Sequence, residues 1–467
     1  MTERIQAHDI TPPSPSVGLY APRQNIYTRA FEGLYRRVRI GVAALLFGLY
    51  FGTVWLNWGG HQAVWWNLPE RKFYVFAATF WPQDFVLLSG LLIVGAFALF
   101  FVTVYVGRVW CGYACPQSVW TWLFMWCEKV TEGDRQQRIR RDNSPAHLGK
   151  YLRKTLKHGL WLLIGFVTAM TFVGYFAPIR ELVSEFFSGQ ASGWAYAWVA
   201  FFTLATYGNA GWLREQVCIY MCPYARFQSV MFDKDTLTVA YNPQRGEPRG
   251  ARKKGVEPLA MGLGDCVDCT LCVQVCPTGI DIRDGLQLEC IGCAACIDAC
   301  DSVMDKMAYP RGLISYTTEH RLAGQATPWL RPRLLGYGAV LLGMLALLAS
   351  AFALRPLVAL DVSKDRALYR EDAQGRIENV YTLKVINKSQ HAQEYLLSAT
   401  GLSGLALTGE THLSVPAGAM ASLAVGLSMA PEQLPAGSHE VVFSLRDADD
   451  DSVQVDTPSR FTGPSTP

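Results

Sequence analysis

Eight cysteines between residues 266 and 300 constrain the fold more than any other feature of the sequence. They form two stretches with the spacing C-x2-C-x2-C-x3-C, and each cysteine of the second stretch lies 24 residues after its counterpart in the first. Thiols separated by only two residues must surround one centre from a tight loop. The backbone conformation of this segment therefore depends on the centre that the thiols bind.

Thiolates at this spacing are typical ligands of [4Fe-4S] clusters, because iron is held by soft, anionic sulfur. In two-cluster ferredoxins the fourth cysteine of each stretch binds the other cluster. The small residues Gly292, Ala294 and Ala295 are expected to let backbone N–H groups approach the cluster sulfurs. We therefore predict two clusters, the first held by Cys266, Cys269, Cys272 and Cys300, and the second by Cys276, Cys290, Cys293 and Cys296.

Two other uses of cysteine fit this segment less well. Structural zinc sites use two separated C-x2-C pairs with four ligands in all. A disulfide framework requires an oxidising compartment, whereas the topology derived below places the segment on the cytoplasmic side. Cys300 is followed by Asp301, where the first stretch has Pro277, which changes a turn but removes no ligand.

The composition indicates a membrane protein of several domains. Hydrophobic residues make up 50% of the 467 residues, aromatic residues 12% and charged residues only 17%. The chain has fourteen tryptophans, of which five are expected to form an aromatic belt at the outer membrane interface: Trp55, Trp58, Trp65, Trp66 and Trp81. The net charge of +3 is too small to indicate nucleic acid as a partner.

Five uncharged stretches are long enough to cross a bilayer. Lysine and arginine are concentrated in the N-terminal tail and in the loops 107–158 and 214–333, so the positive-inside rule places these three segments in the cytoplasm. The C-terminus is then periplasmic, in the inner membrane of a two-membrane bacterium. No signal peptide is expected. The predicted spans are Ile40–Trp58, Phe85–Val106, Gly159–Ile179, Ser192–Leu213 and Leu334–Leu354.

This topology divides the chain into five parts. A mobile cytoplasmic tail (1–39) precedes a membrane domain of two helical hairpins (40–232). A cytoplasmic linker and ferredoxin-like insert (233–333) follows, with the clusters in 255–310. The basic segment Asn242–Glu257 is interpreted as a linker that meets anionic lipid headgroups. A fifth transmembrane helix (334–354) leads to the periplasmic part (355–467).

The periplasmic part is predicted to be an immunoglobulin-like β-sandwich. Residues 380–386 alternate, with Tyr381, Leu383 and Val385 on one face, and short runs near 412–415, 421–428 and 439–445 are separated by turn residues. The residues after Pro458 are expected to be disordered. No catalytic constellation is recognised here, so a contact module is the favoured interpretation.

Two further cysteine pairs, each with the pattern C-x3-C-P, follow the second and fourth predicted spans. They are Cys111/Cys115 and Cys218/Cys222. In a helix this spacing would place both sulfurs on one face, and the following proline predicts that the second cysteine begins a new helix. A thiol at a helix start has a lowered pKa.

Four thiols near one membrane surface, with Met221 among them, form a soft ligand set suited to Cu(I). The alternative is that these cysteines are small buried hydrophobic residues, but two matched pairs at equivalent positions favour redox or metal chemistry. Whether they form one site or two is left open. Cys127 has no partner at ligand spacing and is interpreted as a packing residue.

The whole chain resembles the CcoG family, also called FixG or RdxA, accessory proteins for the assembly of cbb(3)-type cytochrome c oxidase. The resemblance includes W-C-G-Y-A-C-P at 110–116, Y-M-C-P-Y-A-R-F-Q-S at 220–229, G-D-C-V-D-C at 264–269 and E-C-I-G-C-A-A-C-I-D-A-C at 289–300. It covers the five spans, both C-x3-C-P pairs, the cluster insert and the β-sandwich.

The resemblance implies a cupric reductase, an oxidoreductase in which copper is bound by Cys111, Cys115, Cys218 and Cys222. Its product, Cu(I), would pass to a copper-exporting P-type ATPase and to oxidase assembly factors. Electrons would reach copper from the two clusters, one at a time. The electron donor is not identified, and the oligomeric state is left open, with a homodimer among the options.

Two alternatives come from other functional classes. Similar subunits with paired C-x3-C-P motifs serve quinol-linked electron transfer, although the five spans contain no ionisable group for a quinol site. The third interpretation is a non-redox scaffold for oxidase assembly, which cluster-ligand variants such as Cys269→Ser and Cys293→Ser would test.

Overall fold

The fold was analysed in a computed structural model. It describes residues 25–258, 261–328, 330–372, 374–389, 391–450 and 453–464. Most of the predicted N-terminal tail, residues 1–24, lies outside the described residues. The rest of that tail is not a free segment, since the Arg29 N–H donates to the Gln274 carbonyl at 2.8 Å.

A helical bundle carries the apolar stretches. In the described residues four helical segments are long and apolar enough to cross a membrane: Leu34–Trp55, Pro82–Val106, Leu148–Val173 and Pro332–Ala353. The helices up to residue 231 are α1 Leu34–Gly52, α2 Phe85–Val106, α3 Val109–Tyr113, α4 Pro116–Glu132, α5 Arg135–Asn143, α6 Leu148–Val173, α7 Ile179–Ser188, α8 Gly193–Thr206 and α9 Pro223–Met231.

The predicted span Ser192–Leu213 is not among these four. It contains α8, which has 14 residues, and a π-helical segment, Tyr207–Leu213, that continues it. A second π-helical segment, Val217–Met221, leads to α9. Such π-helical turns are rare and occur frequently at functional sites. Helices α4 and α8 both pack on α6.

Small antiparallel sheets lie at one end of the bundle, between α1 and α2. There the Asp84 carboxylate, just before α2, accepts a hydrogen bond from Lys388 Nζ of the C-terminal domain at 2.8 Å, and both side chains are buried. This ion pair fixes the C-terminal domain against the bundle. The strands are β1 Asn57–Trp58, β2 His61–Gln62, β3 Val64–Asn67, β4 Lys72–Val75 and β5 Ala78–Phe80.

The cluster insert forms a compact unit against the other end of the bundle. The basic segment before it is not a linker, because Arg252 donates to the carbonyls of Gly264 (2.7 Å) and Cys266 (3.4 Å) and thus packs on the insert. The insert contains β6 Thr238–Tyr241, α10 Pro243–Gly246, α11 Leu271–Gln274, α12 Ala295–Met307, β7 Ile314–Thr317 and α13 Glu319–Leu322, and β6 pairs with β7.

One residue of the insert caps the first long helix. Asp298 of α12 accepts hydrogen bonds from the backbone N–H groups of Tyr35 (3.2 Å) and Arg36 (2.8 Å), which lie in the first turn of α1. The residue before α1 is Gly33, and a Cβ there would lie 2.2 Å from Asp298. The insert thus supplies a helix cap that α1 itself lacks.

After α14 (Pro332–Ala353), which packs on α2, the chain forms a sandwich of two antiparallel sheets. The strands are β8 Val358–Lys364, β9 Arg370–Glu371, β10 Ile377–Asn387, β11 Gln393–Thr400, β12 Ala406–Thr408, β13 His412–Val415, β14 Met420–Met429, β15 Ser438–Asp447 and β16 Gln454–Thr462. One sheet has the order β12-β14-β10-β8, with β9 paired to β10, and the other has the order β13-β11-β15-β16.

The sandwich core follows the predicted alternation, since Tyr381, Leu383 and Val385 are fully buried. The expected disorder after Pro458 is wrong, because β16 continues to Thr462 and buries Phe461 in the core. Pro458 is tolerated in this strand because β16 lies at the edge of its sheet.

Candidate metal and electron-transfer site

The two cluster motifs fold into loops with the same backbone pattern. Asp268 (φ 51°) and Gly292 (φ 65°) occupy equivalent left-handed positions, as do Thr270 (φ 54°) and Ala294 (φ 58°). Left-handed conformations are uncommon for residues other than glycine. Their repetition at matching positions shows that both motifs turn in the same way around their thiols.

The eight motif cysteines surround two cavities. Cys272 also borders the second cavity, so the two lie side by side. Backbone N–H groups reach the sulfurs: the Gly292 N–H donates a hydrogen bond to the Cys290 sulfur, and the Ala295 N–H donates one to the Cys293 sulfur. Thiols with N–H donors in apolar cavities suit [4Fe-4S] clusters. The first cavity is lined by Cys266, Cys269, Cys272 and Cys300, and the second by Cys276, Cys290, Cys293 and Cys296.

The C-x3-C-P pairs each join two helices instead of sharing one. Cys111 lies in α3 and Cys115 is the extended residue before α4; likewise Cys218 lies in the second π-helical segment and Cys222 precedes α9. The two cysteines of a pair therefore do not share one helix face. The proline ends the first helix and begins the second, as predicted.

All four of these cysteines line one cavity of about 290 Å³, which we call the thiol cavity. Met221 is not part of its lining and is 61% exposed. Among the described residues, no three His, Cys, Asp or Glu side chains are arranged to hold a metal ion. The remaining lining is mostly apolar: Leu99, Arg108, Trp110, Gln117, Ser118, Val217, Ile219, Tyr224, Ala225, Leu288, Glu289 and Ile291.

The first thiol of each pair is partly buried. Burial raises the pKa of Cys111 to about 12 and that of Cys218 to about 11. Cys111 Sγ also donates to Gln228 Oε1 at 3.4 Å, and Gln228 is fully buried. The lowered pKa expected at a helix start does not extend to these two thiols, so copper would have to displace their protons.

The thiol cavity lies directly against the second cluster loop. A Cβ on Gly112, between Cys111 and Cys115, would lie 2.8 Å from both the Cys293 Cα and the Gly292 carbonyl oxygen. A Cβ on Gly292 would in turn lie 3.2 Å from the Arg108 backbone. The two loops are therefore in backbone contact through a pair of glycines, which gives electrons a short route between them.

Buried Arg108 links the walls of this region. One of its guanidinium nitrogens donates to the carbonyls of Leu288 and Cys290, the latter at 3.2 Å, and the other donates to the Ala225 carbonyl at 2.7 Å. Arg108 could not be predicted from the sequence, because its role depends on contacts with residues more than a hundred positions away.

Sequence analysis also missed Glu289, which precedes Cys290. Its half-buried side chain lines the thiol cavity, and within the described residues its carboxylate has neither an ion pair nor a hydrogen bond. Its position beside a cluster ligand was a signal in the sequence, but nothing there indicated that it faces the other cysteine pairs. Cys127 is buried among Phe124, Trp161 and Ala210, as expected for a packing residue.

Comparison with known proteins identifies the family. Protein RdxB from Cereibacter sphaeroides is 41% identical, and the match covers 87% of this chain and 89% of RdxB. Protein RdxA from the same organism is 39% identical, with 92% and 93% covered. The chain belongs to the FixG/RdxA family.

Further matches agree with this assignment. Nitrogen fixation protein FixG from Rhizobium meliloti is 43% identical over 68% of this chain and 61% of FixG. Family profiles match residues 348–464 (an immunoglobulin-like fold at the C-terminus of FixG), 213–319 (a 4Fe-4S dicluster domain) and 88–128 (a 4Fe-4S binding domain). This FixG/RdxA protein is therefore an iron–sulfur redox protein, and the predicted immunoglobulin-like fold is confirmed.

Proposed function

We propose that this FixG/RdxA protein is a membrane-bound cupric reductase that converts Cu(II) to Cu(I) in the thiol cavity. The observation that carries the proposal is the backbone contact between Gly112 and the Gly292–Cys293 segment. It joins a cavity lined by four thiols to a loop of cluster ligands. Clusters held by the eight motif cysteines supply single electrons when bound. Cu(II) takes up one electron and becomes Cu(I).

The protein residues favour the product over the substrate. Thiolates are soft ligands and bind Cu(I) strongly, so the four cavity cysteines stabilise the reduced ion. The buried Gln228 amide holds the Cys111 sulfur in place. Arg108 joins the cavity wall to the Cys290 backbone, which limits movement between the cavity and the cluster ligands.

The membrane arrangement belongs to the same proposal. Five spans in the bacterial inner membrane, with α8 and its π-helical continuation as the fourth, would place the clusters in the cytoplasm and the β-sandwich in the periplasm. The distribution of lysine and arginine supports this orientation. Cu(I) formed on the cytoplasmic side would then pass to a copper-exporting P-type ATPase and to assembly of a cbb(3)-type oxidase.

Quinol oxidation is a second candidate, because the thiol cavity has the mostly apolar lining that is typical of small-molecule sites. The predicted spans contain no ionisable group, but Glu289 supplies one from a loop. A quinol would release two electrons and two protons there, and copper would be incidental. Oxidation of a short-chain quinol by the oxidised protein, independent of copper, would favour this candidate.

The test of copper reduction uses anaerobic, dithionite-reduced protein from which excess reductant has been removed. Cu(II) is added, and cluster reoxidation is followed by absorbance and EPR while Cu(I) is trapped by a chelator. We expect cluster reoxidation to match Cu(I) formation, and we expect Cys111→Ala/Cys218→Ala to slow both. Cys127→Ala is the matched control, since this thiol is buried outside the cavity lining. Equal rates in all three proteins would contradict the proposal.

A further inference from the structure

The unpaired carboxylate of Glu289 is the most unusual feature of the thiol cavity. A half-buried charged group in mostly apolar surroundings is costly unless it is paired. Its neighbours in the lining offer no partner within hydrogen-bonding distance in the described part of the chain. A cation in the cavity would supply the partner that this carboxylate lacks.

Arg108, the other charged residue of the lining, does not fill this role. Its guanidinium group donates to the carbonyls of Leu288, Cys290 and Ala225, and it makes no ion pair with Glu289. The positive charge is thus directed at the backbone of the cavity wall. The negative charge of Glu289 remains available to the cavity.

The ligand types in the cavity differ in hardness. Carboxylate oxygen suits divalent ions, whereas thiolates prefer Cu(I). The four thiols of the lining are soft ligands, so they suit Cu(I) better than an incoming divalent ion. Glu289 supplies a carboxylate oxygen to the same lining, beside the thiols.

We infer that Glu289 is the residue that first binds Cu(II) in the thiol cavity, as an oxygen ligand that divalent copper uses and Cu(I) does not need. This inference rests on the proposed cupric reductase function and deepens it, since it separates a binding group for the substrate ion from the thiols that hold the product. Glu289 is also next to Cys290, so an ion bound there lies beside the second cluster's ligands. It would be reduced at that position and then be held by the thiols.

The test compares wild-type protein with Glu289→Gln and Glu289→Asp. Co(II) serves as a redox-stable divalent probe of the oxidised protein, and its binding is measured by EPR titration. Cu(I) affinity is measured separately by competition with a chelator. We expect Glu289→Gln to weaken Co(II) binding about tenfold or more, Glu289→Asp to restore part of it, and Cu(I) affinity to stay unchanged. Glu257→Gln, which alters an exposed carboxylate of the insert, is the control.

Two results would overturn the inference. Wild-type Co(II) affinity in Glu289→Gln would show that the carboxylate does not bind divalent ions. An equal loss of Co(II) and Cu(I) affinity would show that Glu289 only supports the shape of the cavity. Neither result depends on whether Cu(I) forms in the reductase assay, so failure of the inference and failure of the proposed function are distinguishable.

Discussion

The two cluster motifs have the same spacing and the same backbone turns but lie in different surroundings. In the first motif, residues 268–270 are exposed, including the ligand Cys269. In the second motif the equivalent loop is covered by α3 and by Arg108. The two motifs differ at the residue that makes this contact, since the first motif has Asp268 where the second has Gly292.

Glycine at position 292 matters for the contact between the second cluster loop and the Arg108 backbone, and not for the turn of the loop itself. Asp268 adopts the same left-handed conformation as Gly292, so a side chain is compatible with the loop itself. At Gly292, however, a Cβ would press against the Arg108 backbone. We propose from this comparison that the second motif serves the contact with the thiol cavity, and that the first motif, which is exposed, receives electrons from the donor.

Removal of a ligand from each motif should separate these roles with the largest effect. We expect Cys293→Ser to lose the second cluster and to reduce Cu(II) at the background rate, even after dithionite has reduced the first cluster and the excess has been removed. Cys269→Ser should lose the first cluster but still form about half as much Cu(I), because one cluster remains beside the cavity. Chelator-trapped Cu(I) and iron content provide the measurements. Equal losses in both variants would remove the proposed difference between the motifs.

Exchange of the residues that distinguish the motifs should have a smaller effect. Gly292→Asp places an acidic side chain against Arg108 and should slow cluster reoxidation by Cu(II) about tenfold, because it separates the second cluster from the thiol cavity. Asp268→Gly is the matched reverse exchange and should leave the rate unchanged. Stopped-flow absorbance measures both, with iron content as the check that clusters are retained. A normal rate in Gly292→Asp would mean that the glycine contact has no role in electron transfer.

The cap that joins α12 to α1 should contribute a modest stability. Asp298→Ala removes the acceptor for the N–H groups of Tyr35 and Arg36, and we expect a loss of about 1 kcal/mol. Asp298→Asn keeps one side-chain oxygen and should lose less. The measurement is the thermal unfolding midpoint in detergent. Identical midpoints for all three proteins would show that solvent caps α1 as well as Asp298 does.

The smallest effect is expected for iron content when the thiol cavity is altered. A 4Fe-4S binding domain profile covers Cys111 and Cys115. A third cluster in the thiol cavity is therefore the alternative to copper. Our account instead predicts iron for two clusters in wild-type protein and the same amount in Cys111→Ala/Cys218→Ala. Iron for a third cluster, lost in the variant, would assign the cavity to iron and not to copper.

The sequence predicted much of this fold because its strongest signals are local. The spacing of cysteines, the length of apolar stretches and the alternation of residues in strands can each be recognised within one short segment. The strands predicted near 380–386, 412–415, 421–428 and 439–445 all occur in the structure. The basic segment Asn242–Glu257 was misinterpreted, because the contacts of Arg252 with the carbonyls of Gly264 and Cys266 are not visible in its composition.

The candidate site was only partly predictable. The cysteines could be named from their pattern, but the pattern says nothing about the distance between the thiol pairs and the clusters. The contact of Gly112 with Gly292 joins residues 180 positions apart, and Glu289 enters the cavity from the insert. Tertiary packing brings such distant residues together, and it leaves no repeating pattern in the sequence from which the contact could be predicted.

The most direct measurement of the central claim is copper K-edge X-ray absorption on reduced protein that is frozen after one equivalent of Cu(II) has been added. Our account predicts Cu(I) with sulfur neighbours in wild-type protein and in Cys127→Ala, and loss of the sulfur scattering in Cys111→Ala/Cys218→Ala. Copper that remains Cu(II), or Cu(I) with only oxygen and nitrogen neighbours in wild-type protein, would contradict copper reduction in the thiol cavity.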